Sequence, residues 1–218
     1  YLGAHLAGFT DGSFISNVVG IPDNLDPFTV KRSCFTNKGF SSTELTGDIK
    51  IISISANSFG LIENNGDGKI EEFNIEDILS TITVSNIEKQ GGKVTIADAD
   101  VVVSAGRGLK GPENWHLVEE LAEVLGAATA CSKPVSDMGW RPHSEHVGQT
   151  GKPVSSNLYI AIGISGAIQH LAGINSSKVK VVINNDPEAP FFKAADYGIV
   201  GDAFEVIPQL ITKLKNRK

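Results

Sequence analysis

Residues 148–170 read GQTGKPVSSNLYIAIGISGAIQH and decide the fold of this chain. A polar, Gly-rich loop at 148–151 precedes the apolar run 158–162, which leads directly into a Gly/Ser turn at 163–167 and a helix-like segment. A buried strand, a tight turn and a helix N-terminus together make an anion site, because the helix end presents unpaired N–H groups and partial positive charge. The stretch therefore predicts a site for a phosphorylated cofactor.

The same pattern of strand, Gly turn and helix extends from about residue 101 to the C-terminus. Near-continuous apolar strands that alternate with helices predict a doubly wound, Rossmann-like α/β domain, in which a parallel sheet is covered on both faces. We predict strands at 101–104, 127–131, 158–162, 179–183 and 197–200, and helices at 112–125, 167–172 and 203–215. Ligands of such sheets lie at the carboxyl ends of the strands. Polar residues follow these strand ends: Arg107, Ser132, Ser165, Asn184 and Asp202.

The chain before about residue 90 has a different pattern. Short runs rich in Ile, Val, Phe and Ser predict strands at 13–21, 28–35 and 48–56, with a turn at 37–39 and the end of a helix at 1–8. We therefore expect two domains. Part of a second α/β domain occupies residues 1–90, and the doubly wound domain occupies residues 91–218.

Composition and charge exclude several kinds of partner. The net charge of the 218 residues is −6, which argues against nucleic acid and anionic membranes. No apolar run approaches the roughly 18–20 residues that a membrane span needs, so no membrane insertion is expected. The first residues lack the basic and apolar regions of a signal peptide. Two cysteines are too few for a disulfide framework, which favours a reducing compartment.

A glycine motif leaves a second class of cofactor open. Residues 106–111 read GRGLKG, a G-x-G-x-x-G run between a predicted strand and a predicted helix, as in dinucleotide-binding domains. The acidic residue expected after the second strand is missing, and Cys131-Ser132-Lys133 stands there instead. The run therefore fits a plain strand-to-helix turn equally well, and a nicotinamide-dependent oxidoreductase is the alternative function.

Other motifs have simpler explanations than catalysis or metal binding. The turn at 163–167 is similar to the nucleophile elbow of serine hydrolases, but no histidine follows His170 to complete a triad. His143 and His146 lack a clear third metal ligand, so we expect a solvated loop there. Residues 63–74 imitate a calcium loop, but Glu63 stands where Asp should open it and Asn74 where a bidentate Glu should close it, so we expect a turn. No metal site is predicted.

Four long motifs resemble one protein family. VVVSAGRGLKGPENW at 101–115, SKPVSDMGW at 132–140, HVGQTGKPVSSNLYIAIGISGAIQHLAGI at 146–174 and VINNDPEAPFFKAADYGIVGD at 182–202 are similar to the alpha subunit of electron transfer flavoprotein. The resemblance is dense from about residue 100 onwards. Residues 1–85 resemble, more loosely, the back half of that subunit's first domain. Because chains of this family begin further upstream, we expect the front of the first domain to be missing here.

The resemblance implies an electron carrier that transforms no substrate of its own, so no catalytic residue is expected. Its FAD domain would assemble with a beta subunit, which holds AMP in most members. The heterodimer would pass electrons from flavin dehydrogenases, chiefly the acyl-CoA dehydrogenases of fatty acid β-oxidation, to a quinone oxidoreductase. The compartment would be the cytoplasm of a bacterium or the mitochondrial matrix of a eukaryote. A non-redox interaction subunit that has lost its cofactor is the remaining rival, disfavoured because the expected flavin contacts are nearly all present.

The resemblance also implies which residues contact the flavin ring. Arg107, in the turn with Gly108, would lie against the isoalloxazine ring, and Ser132 would hydrogen-bond the flavin region. Lys133 stands where many members have Arg; Lys keeps the charge but lacks the planar stacking fork. In the loop Val147-Gly148-Gln149-Thr150, the Thr150 hydroxyl would approach flavin N5.

The phosphate and adenosine contacts follow in the same way. His170 would reach the C2 carbonyl of the ring, and Asn184, with Asp202 and Ala203, would hold the adenosine end. Residues of the turn and of the following helix would cradle the pyrophosphate: Ser165, Gly166, Ala167, Ile168, Gln169 and His170. On this basis Arg107 is expected to favour negative charge on the reduced ring, and Thr150 and His170 to set its potential.

Overall fold

The structure is a computed structural model that describes residues 1–35, 39–59, 63, 66, 68–74, 82–86 and 94–216. The chain divides into two units, one made of residues 1–59 and 94–218 and the other of residues 60–93. Much of the second unit, part of the predicted turn at 37–39 and part of the predicted turn at 63–74 lie outside the described residues. The domain boundary near residue 90 stays a prediction.

The N-terminal part of the first unit contains a mixed sheet. Its elements are α1 Leu2–Thr10, β1 Ser13–Val18, β2 Asn24–Leu25, β3 Phe28–Cys34, β4 Gly39–Glu44 and β5 Lys50–Ile54. Strand β1 lies between β3, to which it is antiparallel, and β5, to which it is parallel. A small core holds the sheet together: Ile15, Val18, Val30 and Leu45. This part is α/β, as predicted.

The strands of this sheet differ from the prediction in bounds and in number. Strand β3 ends one residue earlier than the predicted 28–35, β5 is shorter than the predicted 48–56, and β2 was not predicted. Strand β1 ends at Val18, three residues earlier than expected, after Asn17 takes a left-handed conformation with φ 60° and the pairing with β5 shifts register. Strand β4 was not predicted, because GFSSTE has only one large apolar side chain, Phe40. Backbone pairing with β3, from Cys34 opposite Gly39 onwards, holds it instead.

The C-terminal part has the predicted doubly wound architecture. Its elements are β6 Val101–Ala105, α2 His116–Leu125, β7 Ala128–Cys131, α3 Lys133–Asp137, β8 Leu158–Ile162, α4 Ile168–Ala172, β9 Val179–Asn184, β10 Tyr197–Val200 and α5 Ala203–Lys215. The five strands are all parallel, in the order β10-β9-β8-β6-β7. Among the described residues, no helix is long and apolar enough to cross a membrane.

Both faces of the sheet are buried at its central strands β6 and β8, which explains their nearly unbroken apolar runs, whereas all four residues of the edge strand β10 are exposed. Val103 and Ile160 belong to a core shared with α2 and α5. Their neighbours Val102 and Tyr159 belong to the opposite core, which includes Phe191. Because successive side chains of a strand point to opposite faces, a strand that is covered on both faces is apolar almost throughout.

Short helical elements account for the differences in this part. The predicted helix at 112–125 is a 3₁₀ turn, Pro112–Trp115, followed by α2. Helix α4 begins at Ile168 rather than at residue 167, because Ala167 is its N-cap residue and has a non-helical ψ of 144°. Helix α3 was not predicted, since five residues are too few to show a 3.6-residue period.

The strand order creates a crevice at one place in the sheet. From β6 the chain passes to β7 on one side and then to β8 on the other, so the connections diverge between β6 and β8. In open α/β sheets, ligands bind at such a switch point, outside the carboxyl ends of the strands. The turns that follow β6 and β8 are therefore the first place to look for a site.

Candidate functional site

A cavity of about 580 Å³ opens at this switch point. Its volume lies within the range of roughly 300–1,000 Å³ that is usual for ligand sites. Segments that follow β6, β7, β8 and β9 contribute to its wall, together with the loop that precedes β8. The cavity therefore collects the strand-end residues that the sequence singled out.

Most of the sequence-predicted site residues line this cavity. They are Arg107, Gly108, Ser132, Lys133, Val147, Gly148, Gln149, Thr150, Ser165, Ala167, Gln169, His170 and Asn184. Four others lie outside the lining: Gly166, Ile168, Asp202 and Ala203. Gly166 is buried against the backbone of Phe191, and the Ile168 side chain is 80% exposed. Asp202 caps α5 by accepting a hydrogen bond from the Phe204 N–H at 2.9 Å.

Sequence reasoning missed several residues of the wall: Pro134, His146, Gly163, Ile164, Asp186 and Ala189. The prediction of a solvated loop at His143 and His146 was wrong for His146, which is only 8% exposed. A single parallel β-bridge pairs His146 with Cys131, the last residue of β7, and so joins this loop to the sheet. Its ring lies beside Gly148, where a Cβ atom would be 3.4 Å from Nε2. The adjacent apolar Val147 was the sequence signal that could have indicated a buried loop.

Backbone contact between two turns forms the floor of the cavity. The Gly108 N–H donates to the Gly163 carbonyl at 3.1 Å, and the Gly106 N–H donates to the Ile162 carbonyl at 2.9 Å. A Cβ atom on Gly108 would lie 2.5 Å from Gly163 Cα, which no side chain tolerates. Two glycines of the G-x-G-x-x-G run are thus explained by close packing against the turn after β8.

The loop at 147–151 is tied to the domain at its start and at its middle. The Val147 N–H donates to the Cys131 carbonyl at 3.0 Å, and the Gln149 N–H donates to the Gln169 carbonyl at 2.6 Å. These bonds fix the loop between β7 and α4, while the side chains of Gln149 and Thr150 stay exposed at the cavity. Polar side chains on a fixed loop suit the orientation of a ligand.

The turn after β8 leaves backbone donors free. The N–H groups of Ser165, Gly166 and Ala167 have no hydrogen-bond partner among the residues that the structure describes. Such donors cost free energy unless a ligand or water satisfies them. Helix α4 has only five residues, so its dipole is small and these N–H groups are the main anion donors of the turn.

The charges at the cavity favour an anion. Arg107 and Lys133 are exposed in its wall, and neither forms an ion pair within the described part of the chain. Asp186 is the carboxylate of the lining, and its Oδ1 accepts a hydrogen bond from the Glu188 N–H at 3.0 Å. Two unpaired cations against one carboxylate, with the free N–H groups nearby, suit a phosphorylated ligand.

A buried histidine completes the wall. His170 is 6% exposed, and its Nε2 lies 2.9 Å from the Tyr159 hydroxyl oxygen. Burial lowers the pKa of His170 to about 4, so the ring is neutral near pH 7. Its Nδ1 has no hydrogen-bond partner of acceptable geometry among the described residues. Burial also lowers the pKa of His146. An orphaned buried nitrogen in a cavity wall can take its partner from a bound ligand or from water.

Comparison with known proteins gives the family. Residues 95–175 match the electron transfer flavoprotein FAD-binding domain, and residues 1–78 match the electron transfer flavoprotein domain. The electron transfer flavoprotein subunit alpha of Bacillus subtilis is 39% identical over 217 residues, which cover 98% of this chain and 67% of that protein. The subunit alpha of Syntrophomonas wolfei is 42% identical over 188 residues, with 84% and 59% covered.

A eukaryotic protein of the same family is also similar to this chain. The probable mitochondrial electron transfer flavoprotein subunit alpha of Caenorhabditis elegans is 41% identical over 212 residues, which cover 96% of this chain and 63% of that protein. The chain spans from about half to two thirds of the length of such relatives. None of these matches supports the nicotinamide-dependent alternative. The resemblance seen in the sequence is confirmed, and the chain belongs to the electron transfer flavoprotein alpha subunit family.

Proposed function

We propose that this chain binds FAD in the cavity between β6 and β8 and carries electrons as the alpha subunit of a heterodimer, without turning over a substrate of its own. The observation that carries the proposal is the chemistry of the cavity wall. It combines free backbone N–H groups, two unpaired cations and a buried neutral histidine with an orphaned Nδ1. These groups fit a ligand with a diphosphate and a polar ring system.

The wall offers a distinct place for each part of FAD. The ring end would lie against Arg107, Lys133 and Thr150, which come from three different segments of the lining. The free N–H groups at 165–167 would bind the pyrophosphate. The adenosine end would run past Asn184 towards Asp202, because the Asn184 carbonyl accepts a hydrogen bond from the Gly201 N–H at 3.0 Å.

FAD supplies reversible electron transfer when bound, and the protein supplies position and electric field. The guanidinium of Arg107 and the ammonium of Lys133 would stabilise negative charge on a reduced ring. The neutral ring of His170 would donate or accept a hydrogen bond without adding charge. The glycine contacts between the turns after β6 and β8 would hold these groups at a fixed distance from one another.

The partners of the whole assembly are part of the proposal. The family implies a beta subunit, with AMP bound in that subunit, and redox partners that are flavin dehydrogenases of the acyl-CoA class on one side and a quinone oxidoreductase on the other. The cytoplasm would be the compartment for a bacterial source and the mitochondrial matrix for a eukaryotic one. Relatives of both kinds are named among the matches.

An absorption spectrum tests the function directly. The chain is purified alone and after co-expression with the beta subunit of its own source, and any bound flavin is released by denaturation and identified. We expect flavin bands and stoichiometric FAD, with FMN bound more weakly because it lacks the adenosine end. A colourless heterodimer that does not take up added FAD would contradict the proposal and favour the cofactor-free interaction subunit.

A further inference from the structure

Tyr159, which contacts the buried side of the His170 ring, has no role in the proposed function. Tyr159 lies on β8, is fully buried, and its hydroxyl oxygen is 2.9 Å from Nε2 of His170. The His170 ring also lies between two aromatic rings, with its centroid 6.1 Å from those of Tyr159 and Phe191. The ring is therefore held on its buried side by one hydrogen bond and by aromatic contact.

The direction of this hydrogen bond decides where the single proton of the neutral ring resides. A phenol can donate to an unprotonated Nε2 or accept from an Nε2–H. Tyr159 is fully buried, and Nε2 of His170 is the one hydrogen-bond partner of full geometry that its hydroxyl has among the described residues. A buried O–H group that donates to no acceptor costs the full free energy of its desolvation. The Tyr159 O–H is therefore directed at Nε2.

The other side of the ring agrees with this direction. Nδ1 of His170 has no hydrogen-bond partner of acceptable geometry among the described residues. Since Nε2 accepts from Tyr159, the single proton of the neutral ring resides on Nδ1, where it is free to be donated to a ligand in the cavity. Burial makes ionisation of Tyr159 unfavourable and raises its pKa, so its proton stays available to the histidine.

We infer that Tyr159 is a positioning residue, which donates its hydroxyl proton to Nε2 of His170, fixes the ring as the Nδ1–H tautomer and thereby presents Nδ1–H as a donor to an acceptor atom of the bound cofactor. The inference that this donor serves a cofactor rests on the proposed function. The tautomer itself is a property of the protein alone, because both partners lie in β8 and α4 of this chain. A group that fixes the tautomer of a histidine decides what its other nitrogen can do.

The tautomer can be measured without cofactor. Long-range ¹H–¹⁵N correlation spectra of the ¹⁵N-labelled full chain show which ring nitrogen of each histidine carries the proton, and a His170→Gln sample identifies the signal of His170. In the wild-type protein we expect protonated Nδ1 and unprotonated Nε2. In Tyr159→Phe, which keeps the ring but loses the donor, we expect a mixture of tautomers. A wild-type spectrum with the proton on Nε2 overturns the inference without any variant, and so does an unchanged tautomer in Tyr159→Phe.

The second measurement concerns the cofactor. FAD affinity and midpoint potential are measured for the heterodimer with wild-type chain, with Tyr159→Phe and with Tyr197→Phe. Tyr197 is the matched control, since it is a tyrosine of the same sheet and is 68% exposed. We expect Tyr159→Phe to weaken FAD binding by up to about tenfold, the value of one hydrogen bond, and to shift the potential, with Tyr197→Phe unchanged.

The two measurements separate the possible failures. If the tautomer changes in Tyr159→Phe but the affinity and potential do not, the link from Nδ1–H to the cofactor is wrong. If the wild-type heterodimer binds no FAD, the proposed function fails and the cofactor link fails with it. The spectra of the cofactor-free chain then still decide whether Tyr159 fixes the tautomer of His170.

Discussion

The amide of Gly108 donates to the carbonyl of Gly163 at 3.1 Å, so that the turn after β6 and the turn after β8 are joined by their backbones. The contact is possible only without side chains, because a Cβ atom on either glycine would lie within 2.7 Å of the other residue's Cα. Gly163 also takes a left-handed conformation, with φ 58°. This contact sets the distance between Arg107 and the free N–H groups at 165–167, which are the two ends of the anion site.

Replacing Gly163 by Ala should lower the free energy of unfolding by more than the cost of the left-handed conformation of residue 163 alone, because the added Cβ also disrupts this contact. Gly126, with φ 63° and no atom within 4 Å of an added Cβ, is the matched control. We expect Gly126→Ala to lower the free energy of unfolding by about 1 kcal/mol, the cost of a left-handed conformation. Gly163→Ala should lower it by about 3 kcal/mol, since overpacking adds to that cost. Urea unfolding of both variants measures the difference, and equal losses would show that the two turns move apart easily.

Arg107 should influence the bound cofactor more than the fold. It is exposed and unpaired within the described part of the chain, so its removal costs the cofactor-free protein little stability. We expect Arg107→Ala to lower the midpoint potential of bound FAD, because a cation near a reduced ring stabilises negative charge. For an exposed charge, about 1 kcal/mol corresponds to a shift of about 40 mV for one electron.

Redox titration of the heterodimer measures this shift, with Lys213→Ala as the control. Lys213 is an exposed cation on α5, outside the cavity. Arg107→Lys should keep part of the effect, since it retains the charge but not the planar fork. A potential that is the same in Arg107→Ala and in the wild-type protein would exclude Arg107 from the flavin end of the site.

The sequence predicted the sheet of the C-terminal part well because its strands carry an unmistakable signal. A parallel strand buried on both faces, as β6 and β8 are, is apolar almost throughout, and each of the five strands ends in a polar or glycine-rich turn. The strand at 197–200 and the helix at 203–215 were predicted with the boundaries that the structure shows. The strand ends then located most of the cavity wall, since the carboxyl ends of parallel strands meet at one edge.

What the sequence did not predict depends on contacts between distant segments. His146 is buried because the loop around it bridges to Cys131, and no local pattern encodes that bridge. Strand β4 is held by backbone pairing with β3, although its side chains alternate weakly. Tyr159 and His170 are 11 residues apart in the sequence, and this spacing does not predict a hydrogen bond between strand β8 and helix α4.

Asp202 combines a structural contact with a proposed role in binding FAD. Its Oδ1 accepts a hydrogen bond from the Phe204 N–H and caps α5, and we propose that it also borders the adenosine end of FAD. We expect Asp202→Ala to lower the free energy of unfolding by about 1 kcal/mol, the usual cost of a lost N-cap. Asp202→Ser should keep most of this stability, because serine is also a good N-cap.

The two variants should nevertheless bind FAD equally weakly, since both lose the carboxylate. FAD titration and thermal unfolding of the same samples separate the roles, and FMN, which lacks adenosine, should be bound alike by all three proteins. If Asp202→Ser binds FAD as tightly as the wild-type protein does, Asp202 is a capping residue alone.

The buried His170 should make the cofactor-free protein sensitive to mild acid. Burial lowers its pKa from 6.5 to about 4, so between these two values the unfolded chain binds a proton that the folded chain does not. The free energy of unfolding therefore falls as the pH falls from about 6.5. The contribution of His170 to it is fully lost below about pH 4. The contribution is at most about 3 kcal/mol for a shift of this size.

Urea unfolding of the cofactor-free chain from pH 7.5 to pH 4 tests this expectation. In His170→Gln the free energy of unfolding should decline less steeply with falling pH than in the wild-type protein, whatever its value at pH 7.5. Part of the slope should remain, because the pKa of His146 is also lowered by burial. The control is His116→Gln, which alters an exposed histidine on α2, outside the cavity wall. Parallel curves for His170→Gln and the wild-type protein would mean that His170 accepts a proton in the folded state, and the ring would then be too accessible to water to serve as a fixed neutral donor.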